Sequence, residues 1–206
     1  MEKSALVYIV LTAVTLVFGC FVSNSAYTAG YLSGRRLPGA CVGYDRQQAR
    51  NLVAEIAIFG LLFGVSACRI AVGGDYWVYW LNFQLIDQGR HVSYEKGFVA
   101  LVKFFHLIFG EGSYLPIFGF FALITVLFFL KSLHDQADWY VMSLFLLLTE
   151  GFYFNSMNSV RYYFALALAI YAQKYVLRGE YGKFILWVLL GATIHKSVLL
   201  VIPAYI

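Results

Sequence analysis

The sequence predicts an all-α fold, a polytopic transmembrane helical bundle of about six spans plus one interfacial or re-entrant helix. Three observations predict it. The chain is 61% hydrophobic and only 13% charged, against roughly half and about a quarter in soluble domains. Its mean hydropathy is +0.73. Apolar windows of about the twenty residues needed to cross a bilayer recur along its length. All 206 residues read as one polytopic membrane domain, without internal repeats or low-complexity tracts.

The first window is 4–22. Met1-Glu2-Lys3 followed by an apolar run, with Val17-Phe18-Gly19-Cys20, faintly suggests a cleavable signal. The run is nevertheless long enough to span and the opening charges cancel, so a retained helix is expected. Further spans are expected near 52–70, 115–133, 139–154 and 184–204. The stretch 160–177, with Arg161 at its start and Lys174 near its end, also has the length of a crossing. The stretch 98–109 is too short and carries Lys103 and His106, which suits an interfacial or re-entrant helix.

Orientation follows the basic residues. Arg35, Arg36, Arg46 and Arg50 crowd the loop after the first span, which places that loop in the cytoplasm and the N-terminus outside. The segments 131–138 and 178–183 are then cytoplasmic too. The loop 71–97, the turn 155–161 and the outer end of the last helix share the external face.

The net charge of +4 reads as a topology signal, and no nucleic-acid partner is expected. Cys20, Cys41 and Cys68 are far apart without ligand spacing and read as packing residues. His91, His106 and His134 lack partners at metal spacing, so no metal is expected. No nucleotide signature or cofactor motif is present. Glu55, near Arg50, reads as structural, and Glu150 as interfacial or as part of an external cluster.

Charged groups near membrane depth are costly and therefore candidates for function. Arg69 ends the second span and Asp75 follows the Gly73-Gly74 pair. The pair is either an interfacial ion pair with Tyr76, Trp77, Tyr79 and Trp80 as an aromatic belt, or the edge of a site. Glu95 precedes the 98–109 segment, as a carboxylate near a helix N-terminus or a working acid. In "NSMNSVRYY", Asn155 or Ser156 can cap a helix, while Asn158 and Arg161 fall three residues apart on one face. An amide beside a guanidinium suits phosphate or sugar hydroxyls; a cap plus a snorkelling Arg is the alternative. His195, with Lys196 and Ser197, interrupts the last apolar run and is either a packed, hydrogen-bonded imidazole or a site residue.

The order of these pieces resembles the EpsG-like family of bacterial membrane proteins, itself similar to Wzy-type polysaccharide polymerases. The pieces are Arg69 with Val72-Gly73-Gly74-Asp75 and Tyr79, Glu95-Lys96-Gly97-Phe98, Asn158-Ser159-Val160-Arg161, the basic turn before Lys183-Phe184, and Ile194-His195-Lys196-Ser197. The family commonly has Thr between Gly and Asp, Gln after the Arg and Phe-His-Pro-Ser around the His, where this chain has Gly74, Tyr162, Ile194 and Lys196. The resemblance covers about residue 52 onward. It implies a longer protein, of which this chain is the N-terminal part of the bundle.

The resemblance further implies an enzyme of the bacterial cytoplasmic membrane. It would join polyprenyl-pyrophosphate-linked oligosaccharides into exopolysaccharide at the external face, among membrane lipids and other polysaccharide-assembly proteins. Such a transfer needs a base and fixed cations. Asp75 is the first choice of base, with Glu95 or His195 second. Arg69 and Arg161 would hold pyrophosphate; Asn158, Tyr76, Tyr79 and Lys196 would bind the rest of the substrate. A polysaccharide or lipid transporter, with polar groups at broken helices near the midplane, and a membrane acyltransferase using His195 are the alternatives.

Overall fold

The computed structural model describes residues 2–22, 46–70 and 72–205; Arg35, Arg36 and Cys41 lie outside them. The described residues are all-helical, without strands, and the chain is 80% helix. The helices are α1 (Glu2–Gly19), α2 (Arg46–Ala67), α3 (Tyr76–Asp87), α4 (Lys96–Phe109), α5 (Tyr114–Gln136), α6 (Tyr140–Thr149), α7 (Phe152–Ser156), α8 (Val160–Leu177), α9 (Tyr181–Ala192) and α10 (Ile202–Tyr205), with a 3₁₀ turn over Lys196–Val201 before α10. Two of them, α2 and α5, are long and apolar enough to cross a membrane. The chain divides into two compact units, Met1–Leu62 with Leu130–Gly151, and Phe63–Phe129 with Phe152–Ile206.

The expected spans differ from this in instructive ways. The apolar run 139–154 is divided: α6 ends at Thr149, Gly151 has φ 81°, and α7 begins at Phe152. The run 184–204 is divided as well. There α9 stops at Ala192, His195 is extended at φ −150° and ψ 104°, and the chain resumes as the 3₁₀ turn. Each break carries polar residues, Glu150 in the first and His195-Lys196 in the second, but the flanking residues keep the window apolar, and hydropathy averaged over a window is blind to a change of backbone path. By contrast α8 covers 160–177 as one continuous helix, although it is not one of the two helices long and apolar enough to cross, so the count of about six spans is not confirmed.

In the first unit, α1 packs on α6, with Leu144 against Gly19. A polar pair bridges this unit: Glu55 Oε1 lies 2.7 Å from His134 Nδ1. Glu55 therefore pairs with His134, while Arg50 donates to Gln47. Gln47 in turn donates to the fully buried Asn51 at 2.8 Å.

The second unit carries the aromatic core. Tyr79, Phe83, Phe98, Phe118, Phe121 and Phe164 form one buried cluster drawn from α3, α4, α5 and α8. Phe98, Val102 and His106 recur every four residues on the buried face of α4, the spacing of one helix side. The opposite face leaves Leu107 85% exposed, which suits a surrounding of lipid better than water. His106 pairs with Asp87 at the end of α3. Alanines 165, 169 and 172 let α8 lie close to α9, as small residues do between membrane helices.

One glycine decides how α4 meets the break after α9. A Cβ on Gly97 would collide with the carbonyl oxygen of Thr193 and stand 2.8 Å from its Cβ. No side chain fits there without moving backbone.

Replacing Gly97 by Ala is therefore expected to destabilise by about 2–3 kcal/mol. Gly60→Ala, in a helix with nothing within 4 Å, should be neutral or stabilise by up to about 1 kcal/mol. Thermal unfolding of both variants in the same detergent checks the contrast.

Candidate functional site

The turn "VGGD" sets the first wall of the site. Gly73 has φ 89°, a region that side chains disfavour, and a Cβ there would meet Asn158 Oδ1 at 2.9 Å. With the turn seated on Asn158, the backbone N–H of Asp75 donates to Asn158 Oδ1 at 3.0 Å. Ser159 Oγ donates to Asp75 Oδ2 at 3.4 Å. The carboxylate, half-buried at the start of α3, makes no capping bond to its own helix and so stays available.

Arg161, one residue into α8, forms the centre. Its Nη1 donates to Glu95 Oε2, and its guanidinium lies 3.9 Å from the ring centroid of Tyr94 and 5.2 Å from that of Phe98. This sandwich fixes a planar cation between a carboxylate and π-faces. The break after α9 closes the third side. The backbone N–H of Lys196 donates to Glu95 Oε1 at 3.2 Å, and His195 Nδ1 stands 3.9 Å from the same oxygen. Tyr162 meets the imidazole edge-on, with ring centroids 5.8 Å apart.

Electrostatics couple the walls. Burial pushes the Glu95 carboxyl up, but backbone N–H donors, Lys196 among them, and the charge of Arg161 outweigh this and hold it below its ordinary value of 4.5. Burial pushes the Tyr94 phenol up; Arg161 opposes the shift while Tyr79, Asp75 and Glu95 reinforce it. Burial likewise pushes Tyr79 up, against the charge and hydrogen bonding of Arg161. The acids Asp75 and Glu95 thus act on the same phenol as Arg161.

Arg69 is buried, with its guanidinium 4.9 Å from the ring centroid of Phe118. The phenols of Tyr79, Tyr153 and Tyr76 act on it electrostatically. Its Nε, the Nε of Arg161 and Nδ1 of His195 are buried without a hydrogen-bond partner. The two guanidinium N–H groups carry unused capacity for an anion, and the imidazole nitrogen can donate to one in its Nδ1–H tautomer.

The expected residues therefore fall into groups. Glu95, Arg161, His195 and Lys196 meet, Lys196 through its backbone N–H. Asp75 adjoins them through Asn158 and Ser159. The contact of Asn158 is with the Asp75 turn, and the cap position of α8 is Ser159, not Asn155 or Ser156. Tyr76 stacks on Phe118 at 5.3 Å. Tyr94 and Ser159 are site neighbours that the sequence does not mark by their own chemistry; each stands directly beside a candidate residue, Glu95 and Asn158 respectively. Among the described residues no group of three metal-ligating side chains occurs.

The sequence model of the EpsG family matches residues 53–206. The chain belongs to the EpsG family. No curated protein and no solved structure matches it. EpsG membership associates the chain with exopolysaccharide biosynthesis and, with its two long apolar helices, marks a membrane protein. The matched segment of this EpsG-family chain contains all nine residues expected at the site.

A carboxyl held below its unfolded value stabilises the fold above about pH 4.5 and loses that contribution as pH falls through the folded value. Glu95→Gln is accordingly expected to flatten the acid limb of the stability profile between about pH 5 and pH 3. Thermal unfolding across that range, with Glu111→Gln at an exposed position as the control, checks the sign.

Proposed function

We propose that this EpsG-family protein transfers glycosyl units from a polyprenyl-pyrophosphate-linked oligosaccharide to a growing exopolysaccharide, at the external face of the bacterial cytoplasmic membrane. The observation that carries the reading is the convergence of Arg161, His195 and the Lys196 N–H on one oxygen-binding position, beside the Asp75 carboxylate, which accepts from Ser159 and whose backbone N–H is seated on Asn158. An acceptor hydroxyl attacks the anomeric carbon of the donor. The bond from that carbon to the pyrophosphate oxygen breaks, and the pyrophosphate leaves with the electron pair. Asp75 takes the hydroxyl proton, with His195 or Glu95 as the second choice. Arg161 and Arg69 offset the charge that builds on the leaving group, and Tyr76, Tyr79, Asn158 and Lys196 contact the sugars. The single-domain organisation over 1–206, the external N-terminus, and partnership with membrane lipids and other assembly proteins belong to the same reading.

One observation favours a second reading. The break at 193–195 brings an extended His195 and a backbone N–H to the site, and broken helices are how transporters coordinate cargo. A transporter of the same lipid-linked oligosaccharide would move its cargo without making a glycosidic bond.

Asp75→Asn in the intact protein is expected to abolish polymer while leaving protein level unchanged. Arg161→Lys, which keeps charge but loses the bidentate fork, should lower turnover on the order of a hundredfold. Polymer length on a gel with donor supplied in vesicles checks both. Unchanged polymer with Asp75→Asn removes its role as base, and donor translocation without new linkages favours the transporter.

A further inference from the structure

The Glu95 carboxylate is itself bound as a substrate phosphate would be. One oxygen takes an N–H of Arg161 and the other takes the Lys196 N–H at 3.2 Å, with His195 Nδ1 at 3.9 Å. A guanidinium, a backbone N–H and an imidazole around two oxygens make a donor set for anionic oxygen in general. The set is larger than a carboxylate can use, because the N–H at Arg161 Nε remains buried without a hydrogen-bond partner, and His195 Nδ1, also unpaired, adds a donor in its Nδ1–H tautomer. Glu95 is also placed so that it can leave. It sits just before α4 with extended backbone, φ −61° and ψ 142°, and makes no capping bond to that helix. Swinging its side chain away breaks no hydrogen bond within α4, and the ties it releases, to Arg161 and the Lys196 N–H, are those that an incoming anion would take over.

We propose that Glu95 is a displaceable internal anion: with no substrate present it fills the anion position made by Arg161, the Lys196 N–H and His195, and it yields that position to the pyrophosphate of an incoming lipid-linked donor. This rests on the glycosyl-transfer reading and adds to it a rule of selection. Glu95 is tethered to the chain, so it competes at a high effective concentration. A ligand with one carboxylate exchanges like for like and gains nothing. A pyrophosphate brings more charge and more acceptor oxygens, and can engage the donors that Glu95 leaves unused. The site thereby stays closed to monoanions and keeps Arg161 oriented between turnovers.

The test is calorimetric binding of inorganic pyrophosphate to the intact protein in phosphatidylcholine nanodiscs. Glu95→Gln is expected to bind about tenfold or more tightly than the parent, the worth of one charge-assisted competitor, and Arg161→Gln to lose binding. Asp75→Asn removes the same charge from the cluster without freeing Arg161, so it should tighten binding less. No tightening by Glu95→Gln, or equal tightening by Asp75→Asn, overturns the exchange. Glu95→Asp, which keeps the charge but cannot span both donors, should also tighten binding; unchanged affinity there overturns the proposal even if Glu95→Gln fails to fold. Adding phosphatidylglycerol to the discs should change pyrophosphate affinity less than about twofold; abolished binding would make a phospholipid headgroup the displacing anion instead. Polymer formation by the parent protein, followed in parallel, separates failure of the exchange from failure of the glycosyl-transfer reading.

Discussion

The second unit depends on a carboxylate that ties three segments together. Glu95 stands before α4, Arg161 opens α8, and the Lys196 N–H follows the break after α9. A partly buried ion pair stabilises only when its remaining oxygens and protons are satisfied, because desolvation otherwise cancels the attraction. Here the second carboxylate oxygen has a backbone donor, while the guanidinium keeps one N–H, at Nε, unpaired and is flanked by Tyr94 and Phe98. The aromatic faces exclude water from the cation without competing for its charge. The link also needs α4 to approach Thr193 more closely than any side chain at position 97 allows. Interaction and packing constraint thus determine one another.

The same economy explains the broken helices. Unpaired backbone groups are costly in an apolar environment, and they persist where a partner or a cavity receives them. The break at 193–195 gives one such group, the Lys196 N–H, to Glu95. The Gly73 turn gives another, the Asp75 N–H, to Asn158. In each case a side chain from a sequence-distant segment replaces the missing helical bond. The pairs Glu55–His134 and Asp87–His106 follow the same logic with side chains alone, each joining residues from different helices within one unit.

Much of this was legible in the sequence, for identifiable reasons. Composition and apolar windows predict a helical membrane protein, and 160–177 is legible because Arg161 and the turn at 178–180 bound it. Asp75, Glu95, Arg161 and His195 stand out because charge is costly in apolar surroundings. The division of 139–154 and 184–204 is hidden, since the residues on both sides of each break are apolar, and the second break is received by Glu95, 101 residues before Lys196. The pairing of Glu95 with Arg161 is hidden too, as 66 residues separate them. The placement of Asn158 is misread for a related reason: its spacing to Arg161 suggests a shared helix face, whereas it precedes the helix and seats the Asp75 turn.

The central claim is that Glu95 and Arg161 act as one unit on which the surrounding fold relies. A double-mutant cycle of Glu95→Gln and Arg161→Gln, followed by thermal unfolding at pH 7, tests it most directly. The account predicts a coupling of about 1 kcal/mol or more, with the double variant less impaired than the sum of the singles. Additive losses, with coupling indistinguishable from zero, would contradict it.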